Sequence, residues 1–327
     1  MLGFETGIVA GAVISGAYFG DKMSPLSDTT NLAAAVTESN LFDHIKYMMI
    51  TTFPTIVITF IFFLLFNIFN LPNEGITNQN YVELIPDFFN TSPVLFLVPL
   101  FVIILIIKKV NPVIALFLGT ILAAIFSLLF QNDIIVGIIK NNPEQDLNEY
   151  MVIMNSIIGE TNIDTNISFL DELLSSNGMA GMLDTVWLVI CAMVFGGVMD
   201  GIGALKKISL TLLSFAKSTL SLFANTVFSC LTVNVTASDQ YLSIVIPGKM
   251  YSEAYKERGL ASVNLSRTIE DSGTVTSVLI PWNTCGAYQS EVLNVSVWDY
   301  FIYAIFNWLS PITTLIIAYL KFKIKKA

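Results

Sequence analysis

The sequence predicts an all-α integral membrane protein, because it is too apolar for a water-soluble domain and its charges separate into acidic and basic loops. Of its 327 residues, 54% are hydrophobic and 13% are charged, whereas a soluble domain carries about 25% charged residues. Several windows approach or exceed the ~20 residues that cross hydrocarbon. These are Tyr47–Asn70, Phe88–Ile107, Val110–Gln131, Ala180–Met199, Ser218–Ser238, Ser272–Ser290 and Tyr300–Leu320. Among them only Ala180–Met199 contains a charged residue, Asp184.

Basic residues orient these segments, since Lys and Arg favour short cytoplasmic loops. The acidic segments 71–87 and 131–183 contain a single lysine, Lys140, and are placed outside. The lysine-rich C-terminus is placed in the cytoplasm. All of the 16 basic residues except Lys140 and Lys22 are then cytoplasmic. Arg267 is among them, in a loop before the window Ser272–Ser290.

The elements can be placed along the chain from these windows and their flanks. In order, they are a broken helix over 1–37, a helix over 47–70, an outer loop over 71–87, helices over 88–107, 110–131 and 180–199, a hairpin over 218–248, a broken helix over 266–297 and a helix over 300–320. Basic residues on both sides of 218–248 favour the same membrane face, so this hairpin is predicted to be re-entrant. Its polar tip, TVNVTASDQ, then needs protein or a water-filled cavity around it.

The first and last of these elements repeat each other in opposite directions. Residues 1–70 and 266–320 each form a broken helix followed by a continuous one, a pattern typical of inverted-repeat secondary transporters with a site near the midplane. We assign 1–70 to the C-terminal part of a first repeat and 88–327 to a second. The first repeat is expected to be incomplete, with its missing helices encoded upstream of Met1.

Three polar stretches accompany the apolar segments: GDKMSPLSDTTNLAA at 20–34, the hairpin tip, and the hydroxyl-rich helix SGTVTSVLIPWNTCG, which breaks at IPWNTCGAY. Gly20 and Pro25 favour an unwound segment whose carbonyls are free. Carbonyl, hydroxyl and carboxylate oxygens suit a small hard cation. The candidate ion-binding or proton-coupling residues are Asp21, Asp28, Thr29, Thr30, Asn31, Thr236, Ser238, Asp239, Asn283 and Thr284. An ionisable group at a helix centre costs ~2.5–3.5 kcal/mol, so function is the default interpretation.

Other polar residues leave alternatives open. Lys22, Glu270 and Asp271 are candidates for gating, but the two acids equally fit a cytoplasmic interface where they complement a helix dipole. His44, the single histidine, is expected in an exposed inner loop and to be incidental. No metal spacing joins the three cysteines, and no soluble-enzyme motif or basic nucleic-acid face is present. Neither an enzyme nor a cofactor is predicted.

Four stretches resemble the NhaC family of sodium/proton antiporters, within the ion transporter superfamily. They are GAYFGDKMSPLSDTTNLAA, TASDQYLSIVIPGKMY, YKERGLASVNLSRTIEDSGTVTSVLIPWNTCGAY and WLSPITTLIIAY, in the family's order. The resemblance covers nearly the whole chain, although the family carries additional N-terminal helices. It implies a plasma-membrane antiporter that exchanges cytoplasmic Na⁺, with Li⁺ a further candidate, for external H⁺.

The predicted mechanism is alternating access, in which Na⁺ and a proton compete for the same carboxylates. Asp28 and Asp239 are the leading Na⁺ ligands and Asp21 is next. The family also includes a malate/lactate exchanger, so organic-acid exchange coupled to Na⁺ or H⁺ is an alternative, with Lys22 and helix N-termini receiving the carboxylate. A further alternative is that the chain is an inactive fragment. The expected partners are the ions and the lipid bilayer, with a homodimer left open and no nucleic acid.

The topology predicts a labelling pattern. In a background without native cysteines, a cysteine near Glu149 is expected to react with an impermeant thiol reagent added outside, because 131–183 is acidic. A cysteine near Arg258 is expected to stay unlabelled. Labelling of the Arg258 position from outside would contradict the re-entrant hairpin.

Overall fold

The computed structural model describes residues 4–25, 27–69, 85–86, 88–108, 110–141, 147–161, 171 and 174–327. It contains two compact units, Met1–Ile76 with Asp184–Ala327, and Thr77–Leu183. In the described part, β structure is limited to two isolated bridges, Thr161 with Ser176 and Leu260 with Lys326. The predicted all-α class is therefore confirmed. Most of the predicted outer loop 71–87 lies outside the described residues.

The helices of the described residues follow in chain order. The first unit begins with α1 Thr6–Lys22, α2 Asp28–Val36 and α3 Leu41–Phe69. The second unit has a 3₁₀ turn, Pro93–Phe96, then α4 Leu97–Ile107, α5 Pro112–Phe130, α6 Asn132–Asn141, α7 Glu149–Ile158 and a short α8, Gly178–Gly181. From Leu183 onward come α9 Leu183–Gly201, α10 Ala204–Ser214, α11 Thr219–Ala237, α12 Gln240–Glu257, α13 Ser262–Ile269, a π turn Glu270–Thr274, a 3₁₀ turn Ser277–Leu279, α14 Thr284–Leu293, α15 Val297–Tyr300 and α16 Ile305–Tyr319.

Several segments suit a bilayer by length and composition. Long enough to cross are Leu41–Phe69, Val113–Phe130, Gly178–Gly201 and Thr219–Ala237. Shorter apolar segments include Pro93–Ile107 and Ile305–Tyr319. Large apolar side chains point outward, as on α3, where Phe53, Phe60 and Phe69 are exposed. Such a surface is stable when lipid covers it, so the chain is a multi-pass membrane protein.

The hairpin differs from the prediction in its tip. α11 continues through Ala237, so only Ser238 and Asp239 separate it from α12, which ends at Glu257 rather than 248. Thr236, predicted at the tip, lies inside α11, and its hydroxyl donates to the carbonyl of Thr232 at 2.7 Å. A threonine that bonds one turn back satisfies its own hydroxyl. This stretch is therefore helical despite its polar residues.

Two other predicted helices have different bounds. α3 begins at Leu41 rather than Tyr47, so His44 lies in the helix and is fully buried, which corrects its expected exposure. The predicted helix 300–320 is divided by a turn between α15 and α16. Arg267, expected among the cytoplasmic basic residues at the start of the broken helix 266–297, lies in α13 and is fully buried.

α1 makes close backbone contact with the segment around residues 299–303. A Cβ added to Gly11 would lie 2.5 Å from the backbone carbonyl carbon of Tyr303, and one added to Gly7 would lie 2.4 Å from the carbonyl oxygen of Asp299. Glycine permits this approach, as in other membrane helices with small residues four apart. α1 consequently packs beside α16, and Ile14 shares a core with Phe306.

Candidate functional site

The break between α1 and α2 is held by its own polar side chains. Ser27 caps α2 and accepts from the backbone N–H of Thr30 at 3.4 Å. The Thr30 hydroxyl donates to the carbonyl of Lys22 at 3.1 Å. The Asn31 amide donates to the carbonyls of Pro25 and Ser27, at 2.9 and 2.6 Å. Thr30 and Asn31, both predicted ligands, therefore fix the geometry of the break in this arrangement.

The second break combines a π turn, a 3₁₀ turn and an extended residue, Ile280, before α14. π turns occur frequently at functional sites. The amide of Asn234, on α11, donates to the Gly273 carbonyl at 2.7 Å and to the Thr276 hydroxyl at 3.1 Å. Asn283 caps α14 and donates to the Asn234 carbonyl at 3.1 Å. α11 is thus tied to both ends of this distorted segment.

A carboxylate cluster, formed by Asp21, Ser27, Thr29 and Glu270, joins the two breaks. The Thr29 hydroxyl lies 3.2 Å from Glu270 Oε1 and 3.5 Å from Asp21 Oδ2. The Ser27 hydroxyl donates to the same Asp21 oxygen at 3.1 Å. Glu270 is fully buried, whereas Asp21 is exposed at the other end of the cluster. Glu270 Oε2 has no hydrogen-bond partner among the described residues.

Beside this cluster lies a buried ion pair, Lys22 with Asp271, in which both side chains are fully buried. Ser310 and Thr314, on α16, donate to the two Asp271 carboxylate oxygens. The Lys22 ammonium also donates to the Ser310 hydroxyl at 3.3 Å. Burying two charges is tolerated when they pair and their remaining hydrogen-bonding capacity is satisfied. The pair therefore connects α1, the π turn and α16.

Burial bears on the two interpretations of the acids at 270 and 271. Both side chains are fully buried and bonded to other elements. Acids that merely complement a helix dipole at the membrane interface would be solvated. In this structure Glu270 and Asp271 thus lie in the core of the first unit and not at a solvated surface.

Asp28 and Asp239, the leading predicted ligands, have other contacts. The exposed Asp28 carboxylate accepts from the Tyr241 hydroxyl at 2.5 Å and from the Thr29 backbone N–H at 2.9 Å. The Asp239 carboxylate caps α12 and accepts from the Leu242 N–H at 2.9 Å. In this structure neither carboxylate is hydrogen-bonded to the side chains of the carboxylate cluster; Asp28 reaches it only through the Thr29 backbone N–H.

The remaining predicted ligands join the hairpin turn to the second break. Ser238 has a left-handed backbone with φ 60°, and its carbonyl accepts from the Thr284 N–H at 3.0 Å. The Thr284 hydroxyl donates to the Asn283 side chain at 3.4 Å. These contacts bring together the second and third polar stretches of the sequence.

Ser310 and Thr314 were absent from the predicted site. A signal for them exists in the sequence, because Asn307, Ser310 and Thr314 recur at helical spacing on one face of an otherwise apolar segment. Asn307 donates to the carbonyl of Val275 at 2.8 Å. This polar face is therefore turned toward the second break.

The family described as "Na+/H+ antiporter family" matches residues 16–322 of the chain. The chain belongs to this family. The match includes both breaks, the carboxylate cluster and the buried ion pair. The resemblance to NhaC antiporters is thereby confirmed.

Individual relatives agree with the family assignment. The Na⁺/H⁺ antiporter NhaC of Alkalihalophilus pseudofirmus is 35% identical over 98% of this chain and 66% of its own length. NhaC of Bacillus subtilis is 34% identical, over 95% and 66%. The malate-2H⁺/Na⁺-lactate antiporter of Bacillus subtilis is 32% identical, over 94% and 63%. The chain thus spans slightly less than two thirds of the length of these curated relatives, and no solved structure matches it.

Proposed function

We propose that the protein is a secondary active antiporter that exchanges cytoplasmic Na⁺ for external H⁺ by alternating access. Family membership and the NhaC relatives support sodium/proton antiport over organic-acid exchange. One structural observation carries the proposal to a site: the Thr29 hydroxyl lies between the carboxylates of Asp21 and Glu270, within 3.5 and 3.2 Å.

The carboxylate cluster provides the chemistry that such an exchange needs. Sodium is a hard cation that takes oxygen ligands, and the cluster supplies two carboxylates and two hydroxyls. No group of three or more His, Cys, Asp or Glu gathers in the part of the chain that the structure describes, so a cation there would complete its shell with hydroxyls and carbonyls. The Thr29 hydroxyl has one hydrogen and can donate to only one of the two carboxylates at a time. Glu270 Oε2, which has no hydrogen-bond partner among the described residues, is then open to sodium or a proton.

The proposed site therefore moves inward from the one that the sequence favoured. Asp21 and Glu270 are the competing carboxylates, with Thr29 and Ser27 as hydroxyl ligands. Asp28 and Asp239 become second candidates, because each already holds an element in place through its hydrogen bonds. Exposure of Asp21 and burial of Glu270 suggest a route by which the ion enters past Asp21.

The buried ion pair suits a gate. It links α1 to the π turn and α16, so any motion of one broken helix against the other must strain or break it. A two-state element of this kind is what alternating access requires. The protein as a whole is proposed to lie in the plasma membrane with its C-terminus in the cytoplasm. Li⁺ is proposed as a further substrate.

The exchange itself is tested in vesicles that contain the purified chain. With a pH gradient imposed, NaCl is expected to collapse the gradient and choline chloride is not; LiCl and KCl test ion selectivity, and malate or lactate without sodium tests organic-acid exchange. Because a shared site makes protons competitors of sodium, the apparent sodium constant is expected to rise as the pH on the same face falls. A sodium constant that does not change with pH would refute competition at one site.

A further inference from the structure

Arg267 is a buried charge that the proposed exchange does not yet use. Its side chain is fully buried, and none of its three guanidinium nitrogens has a hydrogen-bond partner among the described residues. Its guanidinium lies over the Tyr47 ring, 4.6 Å from the centroid. A cation–π contact contributes about 2 kcal/mol when desolvated, less than the penalty of several kcal/mol for burying a cation without an anion. A buried guanidinium in such surroundings calls for an anionic partner in some state of the protein.

The described residues include one fully buried carboxylate oxygen without a hydrogen-bond partner. Glu270 Oε2 has no partner there, whereas both oxygens of Asp271 accept hydrogen bonds. Glu270 follows Arg267 by three positions, at the junction of α13 and the π turn. Side chains three apart on a helix have Cβ atoms about 5–6 Å from each other. A pair between them would therefore need a change of Arg267 side-chain rotamer and no movement of one helix against another.

The two side chains now point to different neighbours. Glu270 contacts Thr29 of α2, and Arg267 contacts Tyr47 of α3. The Tyr47 ring is itself held, with its hydroxyl 2.5 Å from Asn264 Oδ1 and 2.7 Å from the Lys323 carbonyl. Tyr47 thus provides a fixed position for Arg267 away from the carboxylate.

We propose that Arg267 is a substitute cation for the carboxylate cluster: its guanidinium pairs with Glu270 while that carboxylate holds neither sodium nor a proton, and returning sodium displaces it onto Tyr47. The inference rests on the proposed function, since it assumes that Glu270 binds sodium. It gives the sodium-free cluster a counter-charge within the membrane. It also makes sodium binding a competition between the ion and the arginine.

Competition predicts opposite effects for the two partners of Arg267. Without the guanidinium, sodium no longer competes with the arginine, so Arg267→Gln is expected to lower the apparent sodium constant at a fixed pH. The expected factor is about 10 if only one tenth of the wild-type protein has Glu270 free of Arg267. Without the ring, the Glu270 pair is favoured, so Tyr47→Leu is expected to raise the constant several-fold. Tyr47→Phe keeps the ring, so its sodium constant is expected to stay close to the wild-type value. In Arg267→Gln/Tyr47→Leu the second change should have no further effect.

The constant is measured as the sodium-dependent rise in melting temperature of the purified chain in detergent, titrated with NaCl against choline chloride at fixed ionic strength. Arg258→Gln is the matched control, because that guanidinium donates to the carbonyl of Ala216 rather than facing the cluster. Its sodium constant should stay at the wild-type value.

The possible outcomes distinguish failure of the proposed Arg267 role from failure of the proposed sodium site. Suppose that sodium stabilises the wild-type protein. An unchanged sodium constant in Arg267→Gln, or a constant that shifts in the same direction in Tyr47→Leu as in Arg267→Gln, would then refute the role of Arg267 but not the proposed sodium site. If sodium does not stabilise the wild-type protein, the proposed site itself fails, and the inference with it. Should Arg267→Gln not fold, the comparison of Tyr47→Leu with Tyr47→Phe decides.

Discussion

Glu270→Gln is expected to abolish sodium-dependent proton movement. The amide keeps the shape of the side chain but removes the negative charge that both sodium and the proton need. Because Glu270 is fully buried and bonded to Thr29, water cannot replace its carboxylate. We expect the exchange rate in vesicles to fall at least ~100-fold, equivalent to about 2.7 kcal/mol.

Matched acid-to-amide variants locate the exchange. Asp21→Asn, at the exposed end of the cluster, is expected to weaken apparent sodium binding about 10-fold, or ~1.4 kcal/mol. Asp184→Asn is the control, because that carboxylate is exposed on α9. Asp28→Asn and Asp239→Asn test the alternative site. Complete loss in those two variants, with Glu270→Gln still active, would return the site to the carboxylates that the sequence favoured.

Breaking the buried ion pair is expected to cost the protein much of its stability. Asp271→Asn leaves the Lys22 ammonium buried without its anion, and Lys22→Met leaves the Asp271 carboxylate without its cation. Removal of one partner of a buried pair costs about 3–5 kcal/mol. Both single variants should therefore melt well below the wild-type protein in the same detergent.

The double variant separates stability from transport. Lys22→Met/Asp271→Leu removes both charges, so it is expected to recover most of the lost melting temperature, since an apolar pair often replaces a buried ion pair at little cost. If the pair is a gate, exchange should stay impaired in this stable protein. Full exchange by the double variant would show that the pair serves folding alone.

The sequence was most informative where a single physical constraint acts. Hydrocarbon requires long uncharged helices, so α3, α5, α9 and α11 were visible as apolar windows. Backbone chemistry also acts locally, so Pro25 marked the unwound segment after α1, whereas Gly20, expected in that segment, lies inside the helix. Bounds were less accurate where threonines bond one turn back, as in α11, because such helices can be polar without breaking.

The polar stretches and the family resemblance were determined by the sequence itself. Which carboxylates meet was decided by tertiary structure alone. Asp21 and Glu270 are 249 positions apart, and only the contact of the two breaks puts the Thr29 hydroxyl between them. Spacing along one helix cannot reveal such a contact, since it depends on the approach of α1 at Gly7 and Gly11 to the end of the chain. Burial likewise depends on neighbours that are distant in sequence. For this reason the sequence predicted exposed positions for Arg267 and His44, whereas both side chains lie in the core.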